Sequence, residues 1–249
     1  MNRYGLLGGK LSHSQSKVIH EYFFKKNNID AIYEMIEVKE DELKDKIDLV
    51  KRGYYHGLNV TIPYKEKVIK YLDLLSDAAM QIGAVNTIFC KDGKLIGDNT
   101  DYLGFIDQLA YLDIEVENKD VYVLGSGGAS KGICYALKTL KANPVIVSRD
   151  KEKGLEYSKL NDIESFDLIV NTTPVGMYPN INGEILSRNI VEKAQCSIDL
   201  ICNPKITKFL EYSNNGYNGI YMLIFQAIHA EYLWGNKIEF NIDEVYKLL

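Results

Sequence analysis

A chain of 249 residues, 46% apolar and 25% charged, is long enough to bury one large core or two smaller ones and has the composition of an ordinary globular protein. Its net charge of −5 is spread over interspersed acids and bases with no basic stripe, which argues against nucleic acid as a partner. No window approaches the ~20 apolar residues of a membrane span, the start MNRYGLLGGKLSHS has no leader-like apolar core, and Cys90, Cys134, Cys196 and Cys202 lack CxxC spacing, so the expectation is a cytoplasmic protein with reduced thiols, no membrane association and no metal.

Short β-rich runs at 3–7, 33–38 and 57–62 alternate with helical patterns at 16–27 and 41–50, as in parallel βαβ units. At 84–98 the pattern changes to two strands, AVNTIFC and KLIGD, joined across Lys91-Asp92-Gly93, where Asp-Gly signals a hairpin. Residues 101–112 read as an amphipathic helix, and the polar stretch 113–120 separates it from a second βα series. There, strands at 121–124, 144–148, 168–171 and 197–201 alternate with helices, the pattern of a Rossmann-like doubly wound domain. A last helix from about 221 to 234 is placed back on the first domain. The chain is thus expected to form two α/β domains, 1–101 with 222–249 and 102–221.

After the apolar strand VYVL, the run Gly125-Ser126-Gly127-Gly128-Ala129-Ser130 leads into a helix. Glycine lets the backbone turn tightly and approach a pyrophosphate, whose charge the exposed N–H groups and helix dipole then stabilise. A plain strand-to-helix turn is the bland reading, but the preceding strand favours a nucleotide. The next strand ends in Ser148-Arg149, where an NAD site would place a carboxylate on the ribose 2′-hydroxyl. A guanidinium there suits a 2′-phosphate instead, with Lys153 adding charge, so NADP is favoured over NAD; adjacent Asp150 weakens that preference.

The first half holds polar clusters at strand ends: Ser14-Gln15-Ser16, Asn59-Val60-Thr61-Ile62-Pro63-Tyr64-Lys65, Ala84-Val85-Asn86-Thr87 and Gly97-Asp98-Asn99-Thr100-Asp101. Open α/β sheets bind ligands at the carboxyl ends of their strands, so the clusters should converge on one crevice. Their hydroxyls, amides, amine and carboxylate groups suit a small polyhydroxylated acid. Singly, each has a bland reading: Lys65 a solvated lysine, Asp101 or Ser16 an N-cap, Asn59, Asn86 and Asn99 loop amides, and Gln226 a polar helix residue. His13, His20, His56 and His229 show no ligand spacing and read as structural or exposed.

Together these motifs resemble the shikimate dehydrogenase family over nearly the whole chain. In that family an SxS pair binds the substrate carboxylate, which implies this role for Ser14 and Ser16. NVTIPYK matches its NVTxPxK motif, implying Thr61 as a substrate contact and Lys65 as the catalytic lysine. AVNT and GDNTD imply Asn86 and Asp101 on substrate hydroxyls, with Asp101 the partner of Lys65. GSGGA resembles the GxGGA cofactor loop, SRDKEK an altered adenosine-phosphate motif, and Asn171 to Met177 a segment that brings Thr172 to the cofactor. In GxxMLxxQA near the end, Gln226 falls on the substrate and Gly219 and Met222 near the nicotinamide. The resemblance therefore implies NADP as cofactor, shikimate and 3-dehydroshikimate as the small-molecule partners, and a monomer or homodimer. An NAD-using quinate/shikimate dehydrogenase is the alternative, against which Ser14 and Arg149 count; a non-catalytic shikimate sensor is another, against which the intact Lys65 and Asp101 count. Three features depart from the family: Cys202 stands where a tyrosine that helps bind the substrate carboxylate is frequent, Ser148 and Asp150 replace Asn and Thr, and the short spacing from Arg149 to Asn171 implies a truncated or missing helix.

Overall fold

The computed structural model describes residues 1–12 and 14–249, so His13 lies outside the described residues. The chain divides into two compact units, Met1–Gly104 with Leu223–Leu249, and Phe105–Met222. The division falls inside two helices, Asp101–Tyr111 and Ile220–Leu233.

In the first unit, β1 (Asn2–Gly8), α1 (Ser16–Lys26), β2 (Ala31–Glu37), α2 (Leu43–Lys51) and β3 (Gly57–Val60) form the parallel part of the sheet, with β1 between β2 and β3. Next come β4 (Leu74–Leu75), α3 (Asp77–Ile82), β5 (Thr87–Lys91), β6 (Lys94–Asp98) and α4 (Asp101–Tyr111), and the sheet order is β2-β1-β3-β5-β6-β4. Strand β5 runs antiparallel to both β3 and β6. Asp92 and Gly93 adopt φ of 52° and 73°, the left-handed pair that a two-residue turn needs and that Asp-Gly signals in the sequence. On one face Ile47 and Val50 of α2 pack with Leu58, Val60, Ile88 and Leu95; on the other, Phe24 packs with Tyr4, Leu6 and Tyr33. Each such buried side chain contributes roughly 1.5–3 kcal/mol. Inside this packing a buried pair, His20 with Glu231, ties α1 to the last long helix. The structural reading of His20 holds, and His56 is exposed.

The second unit holds β7 (Asp120–Leu124), α5 (Gly128–Thr139), β8 (Asn143–Val147), β9 (Phe166–Asn171), α6 (Arg188–Val191), β10 (Ala194–Asp199), α7 (Lys208–Glu211) and β11 (Gly216–Asn218). Its sheet is wholly parallel, in the order β11-β10-β9-β7-β8. This is a doubly wound sheet whose order reverses at β7, between β8 and β9, the switch point where such sheets open a crevice. Between β8 and β9 only a 3₁₀ turn, Tyr157–Asp162, stands in place of a crossover helix, as the short spacing from Arg149 to Asn171 implies; fully buried Leu160 anchors it to the core. The chain closes with α8 (Ile220–Leu233) and α9 (Ile242–Leu248), and no helix among the described residues is long and apolar enough to cross a membrane.

Candidate active site

In the first unit Lys65 follows β3 in a turn held by Val68 N–H donating to the Tyr64 carbonyl at 3.0 Å and by Val85 N–H donating to the Lys65 carbonyl at 2.8 Å. Its Nζ donates to Asp101 Oδ2 at 2.5 Å, and the two side chains are only 19% and 13% exposed. The bland reading of Lys65 as a solvated lysine therefore does not apply. Nor is Asp101 an N-cap: it is the first residue of α4, and Asn99 Oδ1 accepts its N–H at 3.0 Å. That placement sets the carboxylate at the positive end of the helix. Asn99 also donates to the Ala84 carbonyl, so it is the loop amide that its bland reading describes.

Asn86 Nδ2 donates to Asp101 Oδ1 at 2.8 Å and lies 3.3 Å from Gln226 Oε1, while Asn86 Oδ1 accepts the Thr100 N–H at 2.7 Å. Gln226 Nε2 donates to the Leu223 carbonyl at 2.8 Å. Four of the predicted substrate residues, Lys65, Asn86, Asp101 and Gln226, thus form one network. Ser14 and Ser16 form a second group, with Oγ atoms 3.2 Å apart and the Ser16 N–H directed at Ser14 Oγ at 3.3 Å. Ser16 is the first residue of α1 and not its cap, and Ser14 lines a groove of about 460 Å³ with Leu11, Lys17 and Met35. Thr61 is held through its backbone, its N–H on the Leu7 carbonyl at 2.9 Å. Among the described residues no hydrogen bond joins Ser14, Ser16 or Thr61 to the Lys65 network.

In the second unit a cavity of about 810 Å³ opens at the carboxyl ends of β7, β8 and β9. Gly125, Ser126 and Gly127 line one side, Ser148, Arg149 and Lys153 a second, and Thr172 to Val175 a third. Gly125 has a φ of +106°, and a Cβ there would come within 2.9 Å of Thr172 Oγ1, so only glycine fits the turn. Helix α5 begins after Gly127 with no side-chain cap, leaving its first N–H groups free for an anion. Ser126 and Ser148 place their Oγ atoms 3.1 Å apart, and Thr172 Oγ1 donates to the Leu124 carbonyl at 2.6 Å. Such a cradle fits a nucleotide diphosphate.

Other cofactor residues read from the sequence lie differently. Lys153 lines the cavity but pairs with Asp150 at 3.0 Å, which offsets its charge and holds the Asp150 carboxyl below its usual range, leaving Arg149 as the main cation there. Gly128 and Ala129 start α5 and are not among the lining residues. Gly219 accommodates the Leu200 carbonyl, 2.5 Å from where its Cβ would sit, and buried Met222 donates its N–H to Gln108 Oε1 at 3.1 Å.

Sequence reasoning missed Thr173, Pro174, Val175, Tyr157 and Ile185, which also line the cavity. The first three follow the carboxyl end of β9, a positional signal that would have found them; Tyr157 and Ile185 sit in irregular segments that carry none. Behind this wall, fully buried Asp199 accepts hydrogen bonds from Asn171, the Ile201 N–H and Thr207, and Asn171 in turn holds Thr173. Burial nevertheless pushes the Asp199 carboxyl up to about 6. Burial and then the Asp199 charge push the Cys202 thiol up to about 12, so it stays protonated. All four cysteines are free, and no cluster able to hold a metal occurs among the described residues.

The model for the shikimate dehydrogenase substrate-binding domain matches residues 6–88. Over nearly its full length the chain is similar to a shikimate dehydrogenase (NADP(+)) of Clostridium perfringens, at 41% identity over 261 aligned residues that cover 98% of this chain and 96% of the relative. The chain belongs to the shikimate dehydrogenase family. Solved members of that family share the fold. A chorismate mutase/shikimate 5-dehydrogenase fusion protein from Clostridium acetobutylicum aligns with a TM-score of 0.93 and 38% identity, over 100% of this chain and 97% of that one. The shikimate 5-dehydrogenase of Thermus thermophilus, solved in complex with NADP(H) and shikimate, aligns with a TM-score of 0.91 and 26% identity, over 100% and 98% of the two chains.

Proposed function

We propose that the protein catalyses the reversible, NADP-dependent reduction of 3-dehydroshikimate to shikimate, a step of chorismate and aromatic amino acid biosynthesis. The observation that carries this reading is the half-buried Lys65–Asp101 pair, fixed by Asn86 and set in a chain of the shikimate dehydrogenase family. Reducing a ketone requires a hydride at carbon and a proton at oxygen. Gly125, Ser126, Gly127, Arg149 and Thr172 are the residues that would hold NADPH, which would supply the hydride when bound. Lys65 stands at the C3 oxygen, donating a hydrogen bond as negative charge develops and giving its proton to the alkoxide. In the oxidative direction it takes that proton back. Asp101 keeps the ammonium aimed at the oxygen, and Asn86 and Gln226 present amide groups to the remaining hydroxyls. Ser14, Ser16 and Thr61 bind the rest of the substrate, with the serine hydroxyls suited to its carboxylate. The four free thiols and the use of NADP support a cytoplasmic setting.

The test is absorbance at the reduced-nicotinamide band with shikimate or quinate and NADP or NAD. Shikimate-dependent reduction of NADP is expected. Turnover with NAD alone would remove the Arg149 assignment, and shikimate binding without turnover would leave a sensor in place of an enzyme.

A further inference from the structure

Asn59 opens the NVTIPYK segment singled out in the sequence, yet the reaction above gives it no role. It sits in β3, and Tyr33 Oη donates to its Oδ1 at 2.7 Å. On the other side, Asn59 Nδ2 donates toward Thr87 Oγ1 at 3.2 Å and the Asn86 carbonyl at 3.3 Å. Thr87 Oγ1 donates to Asn86 Oδ1 at 3.0 Å, with Thr100 Oγ1 a more distant neighbour at 3.4 Å. Asn86 then donates to Asp101, which receives Lys65. Tyr33, Asn59, Asn86 and Thr87 are 1%, 5%, 2% and 0% exposed, so bulk water does not compete for these bonds.

The chain has one sense. A hydroxyl carries a single proton, and an amide has one donor and one acceptor side. Burial, and then the Glu231 carboxylate, push the Tyr33 hydroxyl well above its usual range, which keeps its proton available for Asn59. Receiving that proton at Oδ1, Asn59 turns Nδ2 to Thr87; Thr87, receiving in turn, spends its own proton on Asn86 Oδ1. Asn86, receiving there from Thr87 and from the Thr100 N–H, turns its donor side to Asp101 at 2.8 Å, with Thr100 Oγ1 at 3.0 Å and Gln226 Oε1 at 3.3 Å beside it. Backbone groups that cannot reverse fix this sense: the Asn86 carbonyl accepts from Asn59 Nδ2 and the Thr100 N–H donates to Asn86 Oδ1, so flipping either amide would set two acceptors or two donors face to face.

We propose that Tyr33, Asn59 and Thr87 are positioning residues that hold the Asn86 amide with its donor on Asp101, and thereby keep Asp101 aimed at Lys65. The assignment rests on the shikimate dehydrogenase reading. Its test is steady-state kinetics of Thr87→Val, Thr87→Ser, Tyr33→Phe and the double variant Tyr33→Phe/Thr87→Val, with melting temperatures and the isotope effect on shikimate deuterated at C3. Thr87→Val should lower kcat by about three- to tenfold, the range of one neutral hydrogen bond, with KM for shikimate nearly unchanged and a larger isotope effect. Thr87→Ser should restore most of kcat. The double variant should lose no more than Thr87→Val alone, because both break the same chain. Unchanged kcat in Thr87→Val, a rise in KM alone, or additive losses in the double variant would overturn the assignment while leaving the enzyme's function standing. A wild-type protein inactive with shikimate and either nicotinamide would defeat both together.

Discussion

In the first unit the candidate site is made of side chains that bind one another: Lys65 on Asp101, Asp101 on Asn86, and Asn86 near Gln226. The cavity of the second unit joins a glycine turn and an uncapped helix start to a mixed lining of side chains, with Arg149 as its main cation. A network of side chains depends on the identity of every member, since removing one partner leaves another buried and unsatisfied. A backbone cradle depends on conformation and shape, and much of its lining can vary. The departures in the cofactor motif fall accordingly: Ser148 and Asp150 line the cavity of the second unit, while NVTIPYK, AVNT and GDNTD stand complete in the first.

The contrast can be broken by substitution, and the largest effect belongs to the side-chain network. Lys65→Ala should lower kcat about a thousandfold with little change in KM for shikimate, because the ammonium acts mainly as charge develops at the oxygen. A change confined to KM in steady-state assays would remove its catalytic role.

The next effect is one of stability behind the cavity wall. The Asp199 carboxyl titrates at about 6 in the folded protein against 3.8 for the free group, so the unfolded chain releases this proton first as pH rises. Its stabilising contribution is whole below the lower value and is lost through the upper one, about 3 kcal/mol in all. Asp199→Asn does not titrate, and thermal unfolding between about pH 4 and pH 6 should be less pH-dependent in the variant than in the wild type. Parallel curves would show that Asp199 is not the group responsible.

Arg149→Ala should raise KM for NADP about ten- to hundredfold and leave KM for NAD nearly unchanged, the range for charge-assisted bonds to a phosphate. Equal effects on the two cofactors would sever Arg149 from the 2′-phosphate. The smallest change is expected from Lys153→Ala, less than about twofold in KM for NADP, because Lys153 is exposed and already paired with Asp150. A loss matching that of Arg149→Ala would mean that the pair opens when the cofactor binds.

Both α/β sheets, the Asp-Gly hairpin and the shortened crossover after Arg149 were legible in the sequence, because they rest on local signals: apolar period, turn chemistry and chain length. The short elements β4, α3, β11 and α9 were not, since two to seven residues carry too little periodicity to stand out. Motif identity was enough to single out Lys65, Asn86, Asp101, Gln226 and the glycine turn. It could not separate a cap at Asp101 from the carboxylate that receives Lys65. That distinction, with the entry of Tyr157 and Ile185 into the cavity wall and the direction of the Tyr33–Asn59–Thr87 chain, arose only where remote segments met. A hydrogen bond takes its donor, its acceptor and its strength from what lies across from it, and in a folded chain that neighbour is rarely the next residue.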